Sequence, residues 1–169
     1  MPLGFGSTSG QLGFGRQFVA AGSAAVLAGN WDGVRIYYDH NHSDPVSATV
    51  AWSSDGSNFN NIGTTDQIAS GNIGYISATW ASVGRKRYWR LTFTDPSDGN
   101  IGGQSDQILE VDWRENGSYI TSSSAKTAHN AIITTNNIGG TLSTDYDGNT
   151  GTGTTSISEG SYLLFDFGS

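Results

Sequence analysis

Apolar and polar residues alternate most regularly in two segments near the middle of the chain. Residues 88–94 read YWRLTFT and residues 108–113 read ILEVDW. The alternating apolar side chains are Trp89, Leu91 and Phe93 in the first segment and Leu109, Val111 and Trp113 in the second. A two-residue period with aromatic enrichment is typical of a strand that turns one face to a core and the other to solvent or a second layer. Both segments are therefore predicted to be strands.

Weaker versions of the same pattern predict further strands on both sides of this pair. They are residues 34–38, 48–52, 58–62 and 161–167, and a loop with one short strand is expected within residues 64–77, with residues 75–80 near the core. The first two are expected to form a hairpin across a polar loop, and an Asp-Gly turn at 55–56 introduces the third. The segment at 161–167, SYLLFDF, is so apolar that it is expected to be paired with other strands and covered from solvent.

Composition extends this pattern to the whole chain. Twenty-four glycines against three prolines, with only 14% charged residues, indicate short strands joined by many tight turns. A chain of 169 residues suits one two-layer core, and the absence of cysteine excludes disulfides and thiolate zinc sites. We expect an all-β fold, an antiparallel β-sandwich with almost no helix. Residues 31–169 would form the sandwich, and residues 1–30 would form an extended arm.

Charge and hydropathy exclude some partners. A net charge of -7 and a pI near 4.6 argue against nucleic acid, which requires a basic face. The one basic cluster, at residues 85–90, is interpreted as the solvated entrance of a strand. No apolar run reaches the roughly 20 residues of a membrane span, and residues 1–15 lack the order of a signal peptide. We therefore expect no membrane insertion and no secretion.

The amino-terminal arm combines small polar residues with isolated phenylalanines. Two Gly-Phe-Gly units, at 4–6 and 13–15, lie in a segment that buries too little to fix its own conformation. Phe5, Phe14 and Phe18 are predicted to fill pockets on a neighbouring protein on assembly. A floppy terminus is the alternative.

Several loops carry carboxylates or histidines that are candidate metal ligands. His40 and His42 are interpreted as part of a solvated loop, because no third fixed ligand accompanies them. Asp95 and Asp98 lie in the connection between the two central strands and offer oxygen ligands to calcium. That connection lacks the ligand spacing of an EF-hand, so a plain turn is favoured. No cofactor is expected, with calcium as the one alternative.

Five short motifs resemble discoidin-like domains, the coagulation-factor C-domain family with a galactose-binding-like, jelly-roll β-sandwich. AWSSDGSNFNNIG, RYWRLTFTD and ILEVDW are similar to the second half of such domains, and DYDGNTGTGT and GSYLLFDFG are similar to the first half. The resemblance implies that the turn at Asp147 shapes a loop end near a frequent calcium position. The glycan-binding and membrane-binding residues of the family cannot be placed on this chain.

The two halves occur in inverted order along the chain. Either the domain is circularly permuted, with residues 118–169 folding back on residues 34–113, or that segment completes the sandwich of a neighbouring subunit. Intramolecular closure is favoured, because the polar linker around Asn116 is short.

No motif for catalysis is present, so we expect a non-enzymatic protein. The first hypothesis is a structural and interaction protein of a tailed-phage particle, as a fibre, neck, tail or capsid-decoration subunit. Its amino terminus is similar to those that open some phage virion proteins. This hypothesis predicts assembly in the host cytoplasm, location in the virion, contacts with other virion proteins and a homo-oligomer, in particular a trimer.

The alternative hypothesis is a carbohydrate-binding module that recognises a cell-surface glycan of the host. Sugar sites commonly pair an aromatic platform with polar side chains on loops. The candidate residues are Trp31, Asp32, Trp80, Asp98 and Asn100. Core packing is the competing interpretation of Trp31 and Trp80, and it is the favoured one for Trp52, Trp89 and Trp113.

Overall fold

The structure is a computed structural model, and it describes most of the chain beyond residue 28. The described residues are 29–39, 45–69, 71–95, 107–129, 131–136, 138, 146–151, 154–155 and 157–168. The strands are β1 (Trp31–Asp39), β2 (Ser47–Ser53), β3 (Asn60–Thr64), β4 (Ile73–Thr79), β5 (Tyr88–Thr94), β6 (Gln107–Glu115), β7 (Ser118–Tyr119), β8 (Ile132–Asn136), β9 (Thr154–Thr155) and β10 (Tyr162–Asp166), with one helix, α1 (Ser123–His129).

Two antiparallel sheets pack face to face. The first has the order β4-β1-β6-β7, with β9 also paired to β6, and the second has the order β3-β2-β5-β10-β8. The expected all-β antiparallel sandwich is thereby confirmed, and each segment predicted to be a strand overlaps an observed one. The predicted hairpin of residues 34–38 and 48–52 is wrong, because β1 pairs with β4 and β6 in the first sheet, whereas β2 pairs with β3 and β5 in the second. The finer galactose-binding-like description stays a prediction.

The apolar carboxy-terminal strand lies inside a sheet rather than at its edge. In β10, Leu163 pairs with Leu91 of β5 on one side and with Thr135 of β8 on the other. The backbone groups of this strand are therefore satisfied on both sides, and Leu163 and Phe165 are fully buried. Within one chain, the last strand thus pairs with β5, and its Phe165 ring packs against Trp113 of β6 in the facing sheet.

Aromatic side chains fill the space between the sheets. The centroid of the Trp113 ring lies 5.4 Å from that of Trp89, 5.3 Å from that of Phe165 and 5.8 Å from that of Phe167. Edge-to-face contacts of this kind add to the burial of the rings themselves. The core assignment of Trp89 and Trp113 is confirmed.

Trp52 is placed differently from the prediction. Its ring is only half-buried against the core, and the Lys86 ammonium lies 4.0 Å above its centroid. Trp52 therefore lies at the boundary of the core. One face of its ring packs against the core, and the other face contacts the Lys86 ammonium.

Helix α1 occupies a segment for which the sequence pattern predicts no helix. Its first turn is held by Ser122, whose Oγ accepts a hydrogen bond from the Ala125 amide at 3.3 Å and whose carbonyl accepts one from the Lys126 amide at 3.0 Å. The helix has one buried side chain, that of Lys126. No helix in the described part of the chain is long and apolar enough to cross a membrane.

Candidate functional site

The outer face of the first sheet carries polar and aromatic side chains at matched positions on three strands. On β1, Arg35 lies between Ser77 of β4 and Asp112 of β6. Tyr37, two residues on, lies between Tyr75 and Glu110. Because alternate residues of a strand point to opposite faces, these side chains lie on the side away from Val34 and Ile36, which face the core.

Two tyrosine rings contact one guanidinium on this face, and a third tyrosine ring packs against one of them. The Arg35 guanidinium carbon lies 4.2 Å from the centroid of the Tyr75 ring and 4.5 Å from that of the Tyr119 ring. The Tyr37 and Tyr75 rings are 4.8 Å apart, and Tyr75 remains 42% exposed. We call Arg35, Tyr37, Tyr75 and Tyr119 the tyrosine–arginine face. Such an arrangement offers flat apolar surface next to hydrogen-bond donors.

A second group of charged side chains lies next to this face and is closed off from solvent. Lys126 of α1 places its ammonium against the Glu110 carboxylate, 2.6 Å from Asp112 Oδ1 and 2.8 Å from the Val111 carbonyl oxygen to which it donates. Glu110, Asp112 and Lys126 are each only 2% exposed. The other oxygen of Asp112, Oδ2, accepts a hydrogen bond from Arg35 Nε at 3.0 Å.

Tyr146 covers this group from the far side. The Lys126 ammonium lies 4.8 Å from the centroid of its ring, and the same ring contacts Phe165 at 5.7 Å. We call Arg35, Glu110, Asp112, Lys126 and Tyr146 the buried charge cluster. Its two cations and two carboxylates balance, which is the condition under which charges persist in a protein interior.

Burial sets the protonation behaviour of the cluster. Desolvation raises the pKa of Glu110 above its ordinary value, and the hydrogen bond from Lys126 opposes the rise. Desolvation also raises the pKa of Tyr146, with the nearby carboxylates Asp112 and Glu110 acting in the same direction. Burial therefore inclines Glu110 toward the protonated form, against the hydrogen bond from Lys126.

A turn that requires glycine holds Tyr146 in place. Gly148 has a φ of 83°, and a Cβ at this position would lie 2.8 Å from the Ser123 amide nitrogen and 2.9 Å from the Thr121 carbonyl oxygen. The turn is completed by the Asn149 amide, which donates to Asp147 Oδ1 at 2.7 Å. Close backbone contact at Gly148 thus brings residues 146–149 against the start of α1.

The structure brings the predicted glycan residues of β1 and Trp80 together, but not as an exposed platform. Trp31 is fully buried, with its ring 5.0 Å from that of Phe167, so its assignment to glycan binding is wrong and it is a core residue. Trp80 is half-buried: its ring stacks on Trp89 at 5.6 Å, and its Nε1 donates to the Trp31 carbonyl oxygen. Asp32 accepts from the Gly117 amide at 2.9 Å and stabilises the β6–β7 turn.

The candidate calcium ligands are separate where they can be located. Asp95 is buried, and its amide donates to Glu159 Oε2 at 2.8 Å, whereas Asp147 belongs to the turn around Gly148. Within the described ranges, no group of three His, Asp or Glu side chains is arranged to hold a metal ion. Outside those ranges lie Phe5, Phe14, Phe18, His40, His42, Asp98 and Asn100.

Sequence reasoning missed both the tyrosine–arginine face and the buried charge cluster. The signal for the first was present, since Tyr37 and Tyr75 lie on the outer face of predicted strands. The second has a weaker signal, the spacing of Glu110 and Asp112 on one face of β6. Nothing in the sequence pattern indicates that Lys126 is buried against them. In comparisons with family models, curated proteins and solved structures, nothing matches this chain.

Proposed function

We propose that this chain is a non-enzymatic structural and interaction subunit of a tailed-phage particle, as a fibre, neck, tail or capsid-decoration protein. The observation that carries the proposal is the exposure of large apolar side chains on edge strands of both sheets. Ile73 on β4 is 58% exposed, and Ile132 on β8 is 64% exposed. Among the described strands, β4 and β8 each pair with one neighbour only.

An edge strand that carries exposed apolar side chains is prone to pair with another chain. Contacts between β4 of one copy and β8 of the next would join different surfaces, and such contacts close into a ring or continue as a fibre. The arm with Phe5, Phe14 and Phe18 is the proposed contact to other virion proteins. A homo-oligomer, with a trimer as the expected state, follows from this proposal, and the virion is its proposed location.

Native mass measurement of the purified protein tests the proposal. The wild-type chain is expected to form a defined oligomer and to associate with purified particles, and combined Ile73→Thr and Ile132→Thr substitutions are expected to shift the mass toward the monomer. Asn61→Thr on the exposed part of β3 is the matched control and is expected to leave the oligomer unchanged. A monomer at every concentration, together with no association with particles, would contradict the proposal.

The second candidate function is recognition of a cell-surface glycan, and the tyrosine–arginine face is the observation that favours it. An exposed tyrosine ring beside a guanidinium supplies both the stacking surface and the donors that a sugar ring requires. The site proposed here therefore moves from the Trp31 region to Tyr75 and its neighbours. A fibre subunit that binds a host glycan would satisfy both candidates.

A glycan array read with and without calcium tests this second function. Binding is expected to be lost in Tyr75→Ala and retained in Tyr88→Ala, which removes a half-buried tyrosine from a similar arrangement, with the Arg87 guanidinium carbon 4.7 Å from its ring. No binding under either condition would remove glycan recognition and leave the assembly role untouched.

A further inference from the structure

A primary amine and two carboxyl groups meet in the buried charge cluster without solvent access. Lys126 Nζ approaches Asp112 Oδ1 to 2.6 Å, without the geometry of a hydrogen bond, and also contacts Glu110 Oε1. Only 1% of the Lys126 side chain and 2% of each carboxylate side chain are exposed. An amine in direct contact with a carboxyl group, in a place that excludes water, has the arrangement required for amide formation.

We propose that Lys126 and Asp112 condense to an intramolecular isopeptide bond that ties α1 covalently to β6. The Nζ–Cγ bond forms and the Cγ–Oδ1 bond breaks. Of the three protons on the Lys126 ammonium, one stays on the amide nitrogen and two leave with Oδ1 as water. No electrons are transferred to or from another species, so the chain requires no oxidant, reductant or activating group.

Glu110 is the proton carrier in this step. Its Oε1 contacts Nζ, so it can accept a proton as the amine becomes nucleophilic and return it to the departing oxygen of Asp112. Burial raises the pKa of Glu110, which fits a carboxyl group that cycles through its protonated form during the reaction.

Arg35 distinguishes Asp112 from Glu110 as the carbonyl donor. Its Nε holds Asp112 Oδ2 at 3.0 Å, and this oxygen acquires negative charge when Nζ adds to Cγ. A donor already in place at that oxygen stabilises the tetrahedral intermediate. The same contact turns Oδ1, the leaving oxygen, toward Lys126.

The mass of the denatured wild-type protein is the decisive measurement. It is expected to be lower, by the mass of one water, than the value extrapolated from the Lys126→Met variant. Trypsin is expected to spare the bond after Lys126, so that fragment 115–169 stays attached to fragment 91–114. Fragmentation of this pair should locate the link at Asp112.

Variants separate the roles of the two carboxyl groups. Asp112→Asn is expected to lose the mass of one ammonia instead of one water, because the leaving group changes. Glu110→Gln is expected to keep the full mass, whereas Lys86→Met, which removes an amine elsewhere, should still show the loss of one water. Near-ultraviolet circular dichroism of the buried tryptophans verifies that each variant is folded.

Folded wild-type protein with its full sequence mass and ordinary cleavage after Lys126 would overturn the proposal and leave a buried ion pair. A link located at Glu110 would overturn the assignment of Asp112. Since both results are obtained on the wild-type chain, they hold even if a variant fails to fold.

Discussion

The two faces of β6 are both buried, yet they are built in opposite ways. On one face, Val111 and Trp113 enter a core of aromatic and aliphatic side chains. On the other, Glu110 and Asp112 meet the ammonium of Lys126. The stability of the first face depends on how the shapes and volumes of its side chains fit together, and several combinations of apolar side chains can fill the same space. The second depends on charge balance, which every single neutralising substitution disturbs.

Removal of the Lys126 charge is expected to have the largest effect. Compared with wild-type protein in which Lys126 has not condensed with Asp112, Lys126→Met leaves Glu110 without a cation in a site that water does not reach, which typically costs about 3–5 kcal/mol of unfolding free energy. Adding Glu110→Gln should recover part of this loss, because Arg35 and Asp112 remain as a balanced pair. Urea unfolding of the single and double variants measures both effects.

Lys86→Met is the matched control for this substitution. Lys86 lies over the ring of half-buried Trp52, where loss of the ammonium should cost only about 0.5–1 kcal/mol. Equal losses at Lys86 and Lys126 would show that burial does not set the energy of the charge cluster.

A substitution at Gly148, in the turn that holds Tyr146, perturbs the buried charge cluster without a change of charge. Gly148→Ala is expected to destabilise the fold by about 1–3 kcal/mol more than Gly71→Ala. Both glycines have positive φ, 83° and 70°, but only Gly148 would bring a Cβ into backbone atoms, whereas Gly71 has open space. Thermal unfolding of the two variants measures the cost of the contact between a Cβ at position 148 and the backbone at the start of α1. Similar melting temperatures for the two variants would contradict this prediction.

The sequence predicts one side of this comparison far better than the other. Alternation identifies β5, β6 and β10, because a two-residue period and an apolar face are local properties of a segment. The polar side depends on α1, which lies in sequence after the sheet residues it covers and places Lys126 against Glu110 through tertiary packing. Charged residues at a strand surface usually face solvent, so their spacing alone did not indicate burial.

Trp31 is an apolar residue whose burial the local sequence pattern also could not decide. A tryptophan next to an aspartate near a strand entrance fits a sugar platform as well as a core position. Only the pairing of β1 between β4 and β6, with the Trp31 ring 5.9 Å from that of Trp113, decides for the core.

A small change of volume in the apolar side sharpens the contrast further. Ile36→Val removes one buried methylene opposite Val111 in the β1–β6 pair, and it is expected to cost about 0.5–1.5 kcal/mol. The fold should accommodate Ile36→Val without a compensating second substitution, and urea unfolding should remain two-state. A loss as large as that of Lys126→Met would mean that the aromatic core is no more tolerant than the charge cluster.

The smallest expected effect comes from a partly exposed ion pair, and its pH dependence has the opposite sign to that of Glu110. Hydrogen bonds from Arg87, with Nε 2.7 Å from Oδ1, lower the pKa of Asp166. Because the pKa of Asp166 is lower in the folded state, the ion pair adds stability at a pH above the ordinary aspartate pKa. This stability is lost as the pH falls below that value and through the lower folded-state pKa. The raised pKa of Glu110 gives stability that is present at low pH and is lost as the pH rises through its folded-state value.

Unfolding free energies measured from near neutral pH down to about pH 3 distinguish the two signs. Because Arg87 and Asp166 are 40% and 20% exposed, Asp166→Asn should cost only about 0.2–1 kcal/mol at neutral pH. That difference from wild type should shrink as the pH falls below about 4, where the wild-type carboxylate itself takes up a proton. A difference that stays constant over this range would show that Asp166 acts through packing and not through its charge.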